Sequence, residues 1–263
     1  MRIVSIFAIF LAIVTCSSCS GSATNNNQPA DGLSSAGCCD TLSSWTMEED
    51  TLFVEETNNA ISPDFVSMAD FCSDILQDIR YYSTFNFVGR RVPGYERPMA
   101  YLTRAAAENL KAANEDLMKR GYRLKIHDAY RPKRAVDYFV KWGRDLDDQT
   151  MKEYFYPNCP KSELFHRGYI AHKSGHSRGS TVDVTLFDMK MGKDADMGSP
   201  YDMLDEVSHF DYTEGLTQEQ ISLRKLLREV MSKHNFRPIA CEWWHFTLRN
   251  EPFPNTYFDF PVK

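Results

Sequence analysis

Helix-like and strand-like hydrophobic patterns follow one another irregularly along residues 99–248, and this order restricts the fold more than any other feature. Residues 99–120 carry apolar side chains at helical spacing, and Gly121 stands where such a helix would end. Residues 122–126 then alternate between apolar and polar, which is typical of a strand with one buried face. This stretch therefore predicts a helix that leads directly into a strand.

The same two patterns recur further along the chain. Pro132 is well placed as the first residue of a helix that runs to about residue 142, and residues 181–187 alternate as a second strand. Residues 217–220 match a capping box before a long helix, and residues 243–248 form a last strand. The buried stripe of the long helix consists of Leu223, Leu226, Leu227, Val230 and Met231. Because these elements lack a regular strand–helix–strand rhythm, we expect an α+β fold, a single domain with a central antiparallel sheet flanked by helices.

Composition and charge exclude one class of partner. The chain is 43% hydrophobic and 25% charged, which is ordinary for a globular protein. Its net charge of -6 at pH 7 leaves no basic footprint for nucleic acid or for an anionic membrane surface. A polyanionic partner is therefore not expected.

The first residues have the features of an export signal. Arg2 supplies one positive charge, and residues 3–14 form an apolar run too short to anchor a helix in a bilayer. Small polar residues follow, and Cys19, preceded by two serines, resembles the lipidated cysteine of a bacterial lipoprotein. Cys16 is the alternative cysteine, and cleavage with release of the protein is the alternative outcome.

Three regions follow from this organisation. We predict a lipoprotein-type signal peptide over residues 1–19, a flexible linker over residues 20–50 that is rich in Ser, Gly and Asn, and a folded domain over residues 51–263. The protein is expected to be exported and periplasmic, and to contact the membrane only through its N-terminal lipid anchor.

The segment 174–183 brings an imidazole and a carboxylate within reach of each other. If Val182 and Val184 face the core, Asp183 points to the opposite side of the sheet. His176 lies just before this strand, in a turn rich in Gly and Ser. Such a pair suits zinc if a third ligand joins it, and a simple His–Asp hydrogen bond is the alternative.

A second pair of titratable residues stands beside two tryptophans. Glu242 and His245 flank Trp243 and Trp244, which predicts a site shielded from water. Their odd separation would place them on opposite faces of a regular strand, so the chain must bend there or Glu242 must precede the strand. A surface glutamate beside core tryptophans is the alternative. The cysteines of the folded region show no CxxC spacing, so a thiolate metal site is not indicated.

Several stretches, taken in order, resemble the D-alanyl-D-alanine dipeptidases of the VanX type, whose relatives include zinc D,D-carboxypeptidases and the hedgehog signalling domain. His-x6-Asp at residues 176–183 is followed far downstream by Glu-x-x-His at residues 242–245. The other matching stretches are residues 78–81, 128–132, 133–136, 196–199 and 257–261. The resemblance covers most of the folded region and implies a hedgehog- or D,D-peptidase-like zinc fold, with residues 51–263 as the catalytic domain.

The resemblance also implies a chemistry, the zinc-dependent hydrolysis of D-alanyl-D-alanine. One Zn²⁺ per chain would be held by His176, Asp183 and His245, with water in the fourth position. Glu242 would be the general base for that water, and Arg131 would steady the oxyanion of the tetrahedral intermediate.

The resemblance further indicates which residues would bind the two charged ends of a small D,D-dipeptide. Tyr81 and Asp202 would lie near the substrate ammonium, and Ser174 near its carboxylate. These groups would close the pocket, so a longer peptide would leave buried polar groups unpaired. With an exported protein, such an activity points to the turnover or salvage of cell-wall peptides.

Two departures and two further alternatives bear on this interpretation. Gly175 stands where the family commonly has a second Ser, and Ala129 stands where it usually has Gly, so substrate preference is open. One alternative is a zinc D,D-carboxypeptidase that trims peptidoglycan stem peptides. The other is a zinc-containing binding module without catalysis, against which the presence of Glu242 and Arg131 argues.

The other histidines are not assigned to the metal. His172 lies four residues before His176, but the glycines at 175 and 179 argue against a shared helical face. The remaining histidines are expected to be hydrogen-bonded or solvent-facing, with His209 as the candidate for a pocket wall; they are His127, His166, His209 and His234. The oligomeric state is left open.

Overall fold

The computed structural model describes residues 57–263. The predicted signal peptide over residues 1–19 with its Cys19, the linker over residues 20–50 and the first residues of the predicted catalytic domain lie outside the described residues, and they stay predictions. Within the described part, no helix combines the length and apolar character that crossing a membrane requires.

The described chain forms five α-helices and ten short strands. The helices are α1 (Met68–Phe71), α2 (Arg104–Met118), α3 (Lys133–Arg144), α4 (Lys152–Phe155) and α5 (Gln218–Lys233). The strands are β1 (Thr57–Asn58), β2 (Phe65–Ser67), β3 (Leu76–Gln77), β4 (Tyr101–Thr103), β5 (Tyr122–Asp128), β6 (Thr181–Asp188), β7 (Lys193–Asp194), β8 (Phe236–Pro238), β9 (His245–Leu248) and β10 (Tyr257–Phe258).

A mixed sheet organises the domain. Its strand order is β3-β5-β6-β9-β8, and β7 pairs with β6 beside this path. All pairs in the sheet are antiparallel except β3 with β5, which is parallel and lies at one edge. Helices α2 and α5 pack against each other and against the sheet. The α+β prediction with a central, largely antiparallel sheet is confirmed.

Strand β6 lies in the middle of the sheet and is buried on both faces. Its alternate residues Val182, Val184 and Leu186 join the hydrophobic core, as the alternation predicted. The residues of the other face, including Asp183, are also buried rather than exposed. Asp183 pairs across the sheet with Asp128 of β5 on one side and with His245 of β9 on the other. The sheet register therefore brings polar side chains from three neighbouring strands together.

The helix starts follow their capping residues. The helix predicted from residue 99 begins only at Arg104, because residues 101–103 pair with β2 as strand β4 and the Thr103 side chain caps the helix by accepting from the amide of Ala106. Pro132 is the residue that precedes α3 rather than its first residue. The capping box at the start of α5 is confirmed, since the Thr217 hydroxyl accepts from the Gln220 amide and the Gln220 side chain accepts from the Thr217 amide.

Helix α5 departs from its predicted stripe at two positions. Leu226 is only partly buried, whereas Arg224 is buried and donates hydrogen bonds to the backbone carbonyls of Met197, Val207 and His209. These bonds satisfy the buried guanidinium and fasten the loop before α5 to the helix.

Candidate active site

Three side chains of the predicted ligand set converge on one point. His176 comes from a 3-10 helix, Gly175–Arg178, Asp183 from β6, and His245 is the first residue of β9. Asp183 Oδ1 lies 3.3 Å from His176 Nε2 and 3.1 Å from His245 Nδ1, and these two nitrogens are 3.2 Å apart. The structure thus forms a nearly equilateral triangle of donor atoms.

This triangle fits a tetrahedral metal ion. With metal–ligand bonds of roughly 2.0–2.1 Å and tetrahedral angles, the ligand atoms of zinc lie about 3.3 Å apart. Asp183 Oδ1 is buried without a hydrogen-bond partner among the described residues, which is costly for a carboxylate oxygen unless a cation meets it. His176 donates its Nδ1–H to the Ala129 carbonyl at 2.7 Å, so its Nε2 presents a lone pair towards Asp183. With His176 in this tautomer, Asp183 Oδ1 and His176 Nε2 are facing acceptor atoms that repel each other without a proton or a cation between them.

The pKa shifts of Asp183 and His245 agree with metal binding. Burial raises the pKa of Asp183, but the neighbouring His176 and His245 outweigh burial and hold the pKa well below its usual range. Burial lowers the pKa of His245, which favours the neutral imidazole. An ionised Asp183 and a neutral His245 are the forms in which these two groups bind a metal.

The turn before β6 explains the position of His176. The Ser174 hydroxyl accepts from the His176 amide at 3.3 Å and caps the short helix. Gly179 ends that helix with φ of 81°, and a Cβ there would lie 2.2 Å from the Phe65 ring. Only glycine allows both this backbone conformation and this close approach, so the turn folds back towards the sheet.

Glu242 stands next to the metal triangle. It precedes β9 in a turn in which the His245 amide donates to the Glu242 carbonyl at 3.4 Å, so the alternative that placed Glu242 before the strand is confirmed. Its Oε2 lies 3.5 Å from His245 Nδ1. Trp243 and Trp244 are buried and pack edge to face with centroids 5.2 Å apart.

Arg131 is held on the other side of the triangle. Its Nε donates to Asp128 Oδ2 at 2.9 Å, and its Nη2 lies 3.8 Å from Asp183 Oδ2. The guanidinium also lies over the rings of Tyr81 and Phe139, 5.0 and 5.1 Å from their centroids. Burial alone would lower the pKa of Arg131, but the surrounding phenols and Asp128 raise it, so the cation keeps its charge.

Asp128 and Tyr95 belong to this arrangement although the sequence analysis did not assign them. Asp128 is fully buried and accepts from the Tyr95 hydroxyl at 2.7 Å as well as from Arg131. Its Oδ2 also lies 3.5 Å from His176 Nδ1. The only sequence signal was the position of Asp128 within the 128–132 stretch, three residues before Arg131.

The predicted ammonium-binding residues form the far wall. The Tyr81 hydroxyl donates to Asp202 Oδ1 at 3.1 Å, and Asp202 Oδ2 is buried without a hydrogen-bond partner among residues 57–263. Burial and the Asp183 carboxylate raise the pKa of Asp202 well above its ordinary value. Asp202 adopts a left-handed backbone with φ of 63°, a conformation that Asp tolerates better than most residues. The buried Tyr201 hydroxyl, also missed by the sequence analysis, lies 3.1 Å from Asp183 Oδ2.

The assigned residues line one cavity of about 160 Å³. Every one of the predicted metal, catalytic and substrate-binding residues lines it: Tyr81, Arg131, Ser174, His176, Asp183, Asp202, Glu242 and His245. The set was predicted from separate stretches of sequence, and the fold brings all of it to one place.

The two departures from the family pattern have different surroundings. A Cβ at Gly175 would lie 2.7 Å from Thr181 Oγ1, which is within hydrogen-bond distance (2.9 Å) of Thr247 Oγ1. A serine at position 175 would therefore displace this pair. Ala129 is buried, and its carbonyl is the acceptor for the His176 ring.

The other histidines lie away from the triangle. His172 is exposed and stacks on Phe165. His127 is buried with its Nδ1 3.3 Å from the Asp78 carbonyl. His209, the candidate pocket wall, does not line the cavity, and its Nε2 lies 3.2 Å from the hydroxyl of Tyr169, which does.

Comparison with known proteins gives consistent results. A family model described as D-ala-D-ala dipeptidase matches residues 62–263. The D-alanyl-D-alanine dipeptidase of Streptomyces coelicolor is 41% identical over 199 residues, 76% of this chain and 98% of that protein. Those of Enterococcus faecium and Enterococcus faecalis are 40% and 39% identical over the same shares. A crystal structure of the vancomycin-resistance D,D-pentapeptidase VanY with Zn(II) aligns with a TM-score of 0.36 and 12% identity, over 60% of this chain and 78% of that one, which is too remote to carry an argument.

Proposed function

The chain belongs to the D-Ala-D-Ala dipeptidase family and is a dipeptidase of the hydrolase class, and from this premise we propose that it hydrolyses the free dipeptide D-alanyl-D-alanine with one bound zinc ion. His176, Asp183 and His245 are the proposed zinc ligands. The observation that carries the proposal is the donor triangle with edges of 3.1–3.3 Å around an orphaned carboxylate oxygen.

The ligand types favour zinc over the harder divalent cations. Two imidazole nitrogens and one carboxylate oxygen suit zinc, whereas calcium and magnesium prefer oxygen ligands alone. Three protein ligands leave one coordination position open, which is the arrangement of catalytic rather than structural zinc sites. Bound zinc would supply Lewis-acid chemistry, polarising the scissile carbonyl and making a water nucleophilic at neutral pH.

Glu242 is the proposed general base. Its carboxylate stands beside the ligand nitrogen of His245, close enough to take a proton from the attacking water at Oε2. The same carboxyl group can then deliver this proton to the nitrogen of the departing D-alanine. The Glu242 side chain is only 16% exposed, so little bulk water competes for the proton.

Arg131 is the proposed stabiliser of the oxyanion. Asp128 takes its Nε–H, so the remaining N–H groups are free to point into the cavity that Arg131 lines. A guanidinium fixed before the reaction needs no reorganisation when negative charge develops on the carbonyl oxygen.

The far wall supports a very short substrate. We assign the substrate ammonium to Asp202 and Tyr81, and the carboxylate to Ser174. An ammonium beside the orphaned Asp202 Oδ2 would favour the ionised carboxylate against the burial that raises its pKa, and the buried position of Asp202 closes the cavity behind it. A peptide extended at its amino end would leave Asp202 unpaired and meet this wall.

The proposal includes a location and a role. The lipoprotein-like start with Cys19 supports an exported, membrane-anchored enzyme in the periplasm, acting in cell-wall peptide turnover or salvage. Labelling with a radioactive fatty acid tests this, because Cys19→Ser should abolish labelling of the full chain and Cys16→Ser should not.

The activity is tested by the release of free D-alanine from two substrates, D-Ala-D-Ala and a pentapeptide ending in D-Ala-D-Ala, each with and without a chelator. We expect hydrolysis of the dipeptide alone, lost with the chelator and restored by zinc. Equal hydrolysis of the pentapeptide would replace the proposal with the D,D-carboxypeptidase alternative. Zinc binding without any hydrolysis would replace it with the binding-module alternative.

A further inference from the structure

Tyr201 stands between the metal triangle and the substrate wall. Its ring is buried, stacked on His127 with centroids 4.7 Å apart and edge-on to Trp244 at 5.4 Å. Its hydroxyl oxygen lies 3.1 Å from Asp183 Oδ2 and 3.2 Å from the hydroxyl oxygen of Tyr81. A single phenol thus touches a proposed metal ligand and a proposed substrate-binding residue.

Counting hydrogens fixes the direction of these contacts. A metal-binding Asp183 is ionised and can only accept, and a phenol has one hydrogen to donate. The Tyr201 hydrogen therefore goes to Asp183 Oδ2. The Tyr81 hydrogen goes to Asp202 Oδ1 at 3.1 Å, so the Tyr81 oxygen faces the same Tyr201 hydrogen as a second, weaker acceptor at 3.2 Å.

The hydrogen bond to Oδ2 decides which carboxylate oxygen faces the ion. Arg131 Nη2, at 3.8 Å, is too far to hold Oδ2 by a hydrogen bond. Among the described residues, the structure shows one hydrogen-bond donor to Oδ2, the Tyr201 hydroxyl at 3.1 Å. With Oδ2 held by Tyr201, Oδ1 stays turned towards the two histidines. Asp183 would therefore bind the metal through Oδ1 alone.

Resting on the zinc-dependent function above, we propose that Tyr201 is a positioning residue that orients Asp183 for the metal and Tyr81 for the substrate through one hydroxyl. Groups that hold a metal ligand by a hydrogen bond commonly change metal affinity or activity by about 10- to 100-fold when removed. The two roles predict two separate effects of losing this hydroxyl.

The test is Tyr201→Phe, which removes the hydroxyl and keeps the stacked ring. We expect the zinc dissociation constant, measured by competition with a chromophoric chelator, to rise about 10- to 100-fold. At saturating zinc we expect KM for D-Ala-D-Ala to stay raised several-fold while kcat recovers most of its value. Tyr81→Phe should raise KM without changing zinc affinity, because the bond from Tyr201 to Asp183 remains.

Tyr156→Phe is the matched control. Tyr156 is a buried phenol whose hydroxyl has no hydrogen-bond partner among the described residues, so its loss should change neither zinc affinity nor KM. Zinc affinity of Tyr201→Phe equal to that of this control would overturn the inference.

A second measurement does not depend on any variant. In a crystal structure of the zinc-loaded wild type, we expect Asp183 to bind through Oδ1 alone, with Oδ2 within hydrogen-bond distance of Tyr201. A bidentate Asp183, or a Tyr201–Oδ2 distance beyond about 3.5 Å, would contradict the positioning role. Failure of the wild type to bind zinc or cleave the dipeptide is a different result, since it removes the proposed function itself.

Discussion

Asp128 offers a quantitative test of how Arg131 is held. Replacing it by Ala leaves the buried Arg131 charge, 13% exposed, without its carboxylate, and removing one partner of a buried ion pair costs about 3–5 kcal/mol of stability. Asn keeps the shape: its oxygen can accept from Arg131 Nε while its amide donates to the Tyr95 oxygen. The Asn variant then loses the charge assistance to Arg131, about 1–2 kcal/mol, and the acceptor of the Tyr95 hydrogen, so it should cost less than Ala.

The two Asp128 variants should follow the same order in kcat, with Ala more damaging than Asn. If Asp128 aims Arg131 at the oxyanion, Asp128→Asn should lower kcat about tenfold and Asp128→Ala about a hundredfold. Urea unfolding gives the stability change, and D-alanine release at saturating zinc gives kcat. Asp137→Asn and Asp137→Ala are the controls, since Asp137 pairs with Lys133 on the exposed face of α3 and should shift stability by less than about 0.5 kcal/mol. Equal stability and equal kcat for the two Asp128 variants would refute this reasoning.

Three further predictions concern the general base, the proposed metal ligands and the turn at Gly175. Glu242→Ala should keep stoichiometric zinc in metal analysis and lose nearly all hydrolysis of D-Ala-D-Ala; full activity would remove the general-base assignment. His176→Ala and His245→Ala should each be purified without zinc, and a full zinc equivalent in either would contradict the ligand set. Gly175→Ser should destabilise the protein by about 1–3 kcal/mol in urea unfolding, because its Cβ meets Thr181 Oγ1 at 2.7 Å, and adding Thr181→Ala should recover part of that loss. Additive costs of the two substitutions would show that this contact is not the cause.

The sequence predicted those elements that are determined by residues close together in the chain. The capping box of α5 and the alternation in β5 and β6 depend on residues a few positions apart, and the structure contains them. Strand β4 was missed because three residues form it only by pairing with β2, more than thirty positions earlier in the chain. A pairing of this range leaves no periodicity in so short a segment.

The same distinction applies to the site. The proposed metal ligands stand in two recognisable spacings, so the sequence could indicate them. Asp128 contacts Arg131 three residues away, but it meets Tyr95 only in the folded chain, and Tyr201 meets Asp183 and Tyr81 from another element. Residues that hold a ligand or a catalytic cation are found only when the sheet and its loops are assembled.

The register of the central sheet links the stability of the core to the geometry of the metal site. Asp183 can face His245 and Asp128 only because Val182 and Val184, its neighbours along β6, are buried on the opposite face. A slip of one residue would turn the carboxylate into the core and the valines into the cavity, at the cost of both a buried charge and lost apolar burial. Core packing therefore places two of the three proposed ligands, Asp183 and His245. Only His176 depends on a turn, and its ring is held by a hydrogen bond to the Ala129 carbonyl, just beyond β5. The geometry of the proposed metal site is thus determined largely by the same packing that determines the fold.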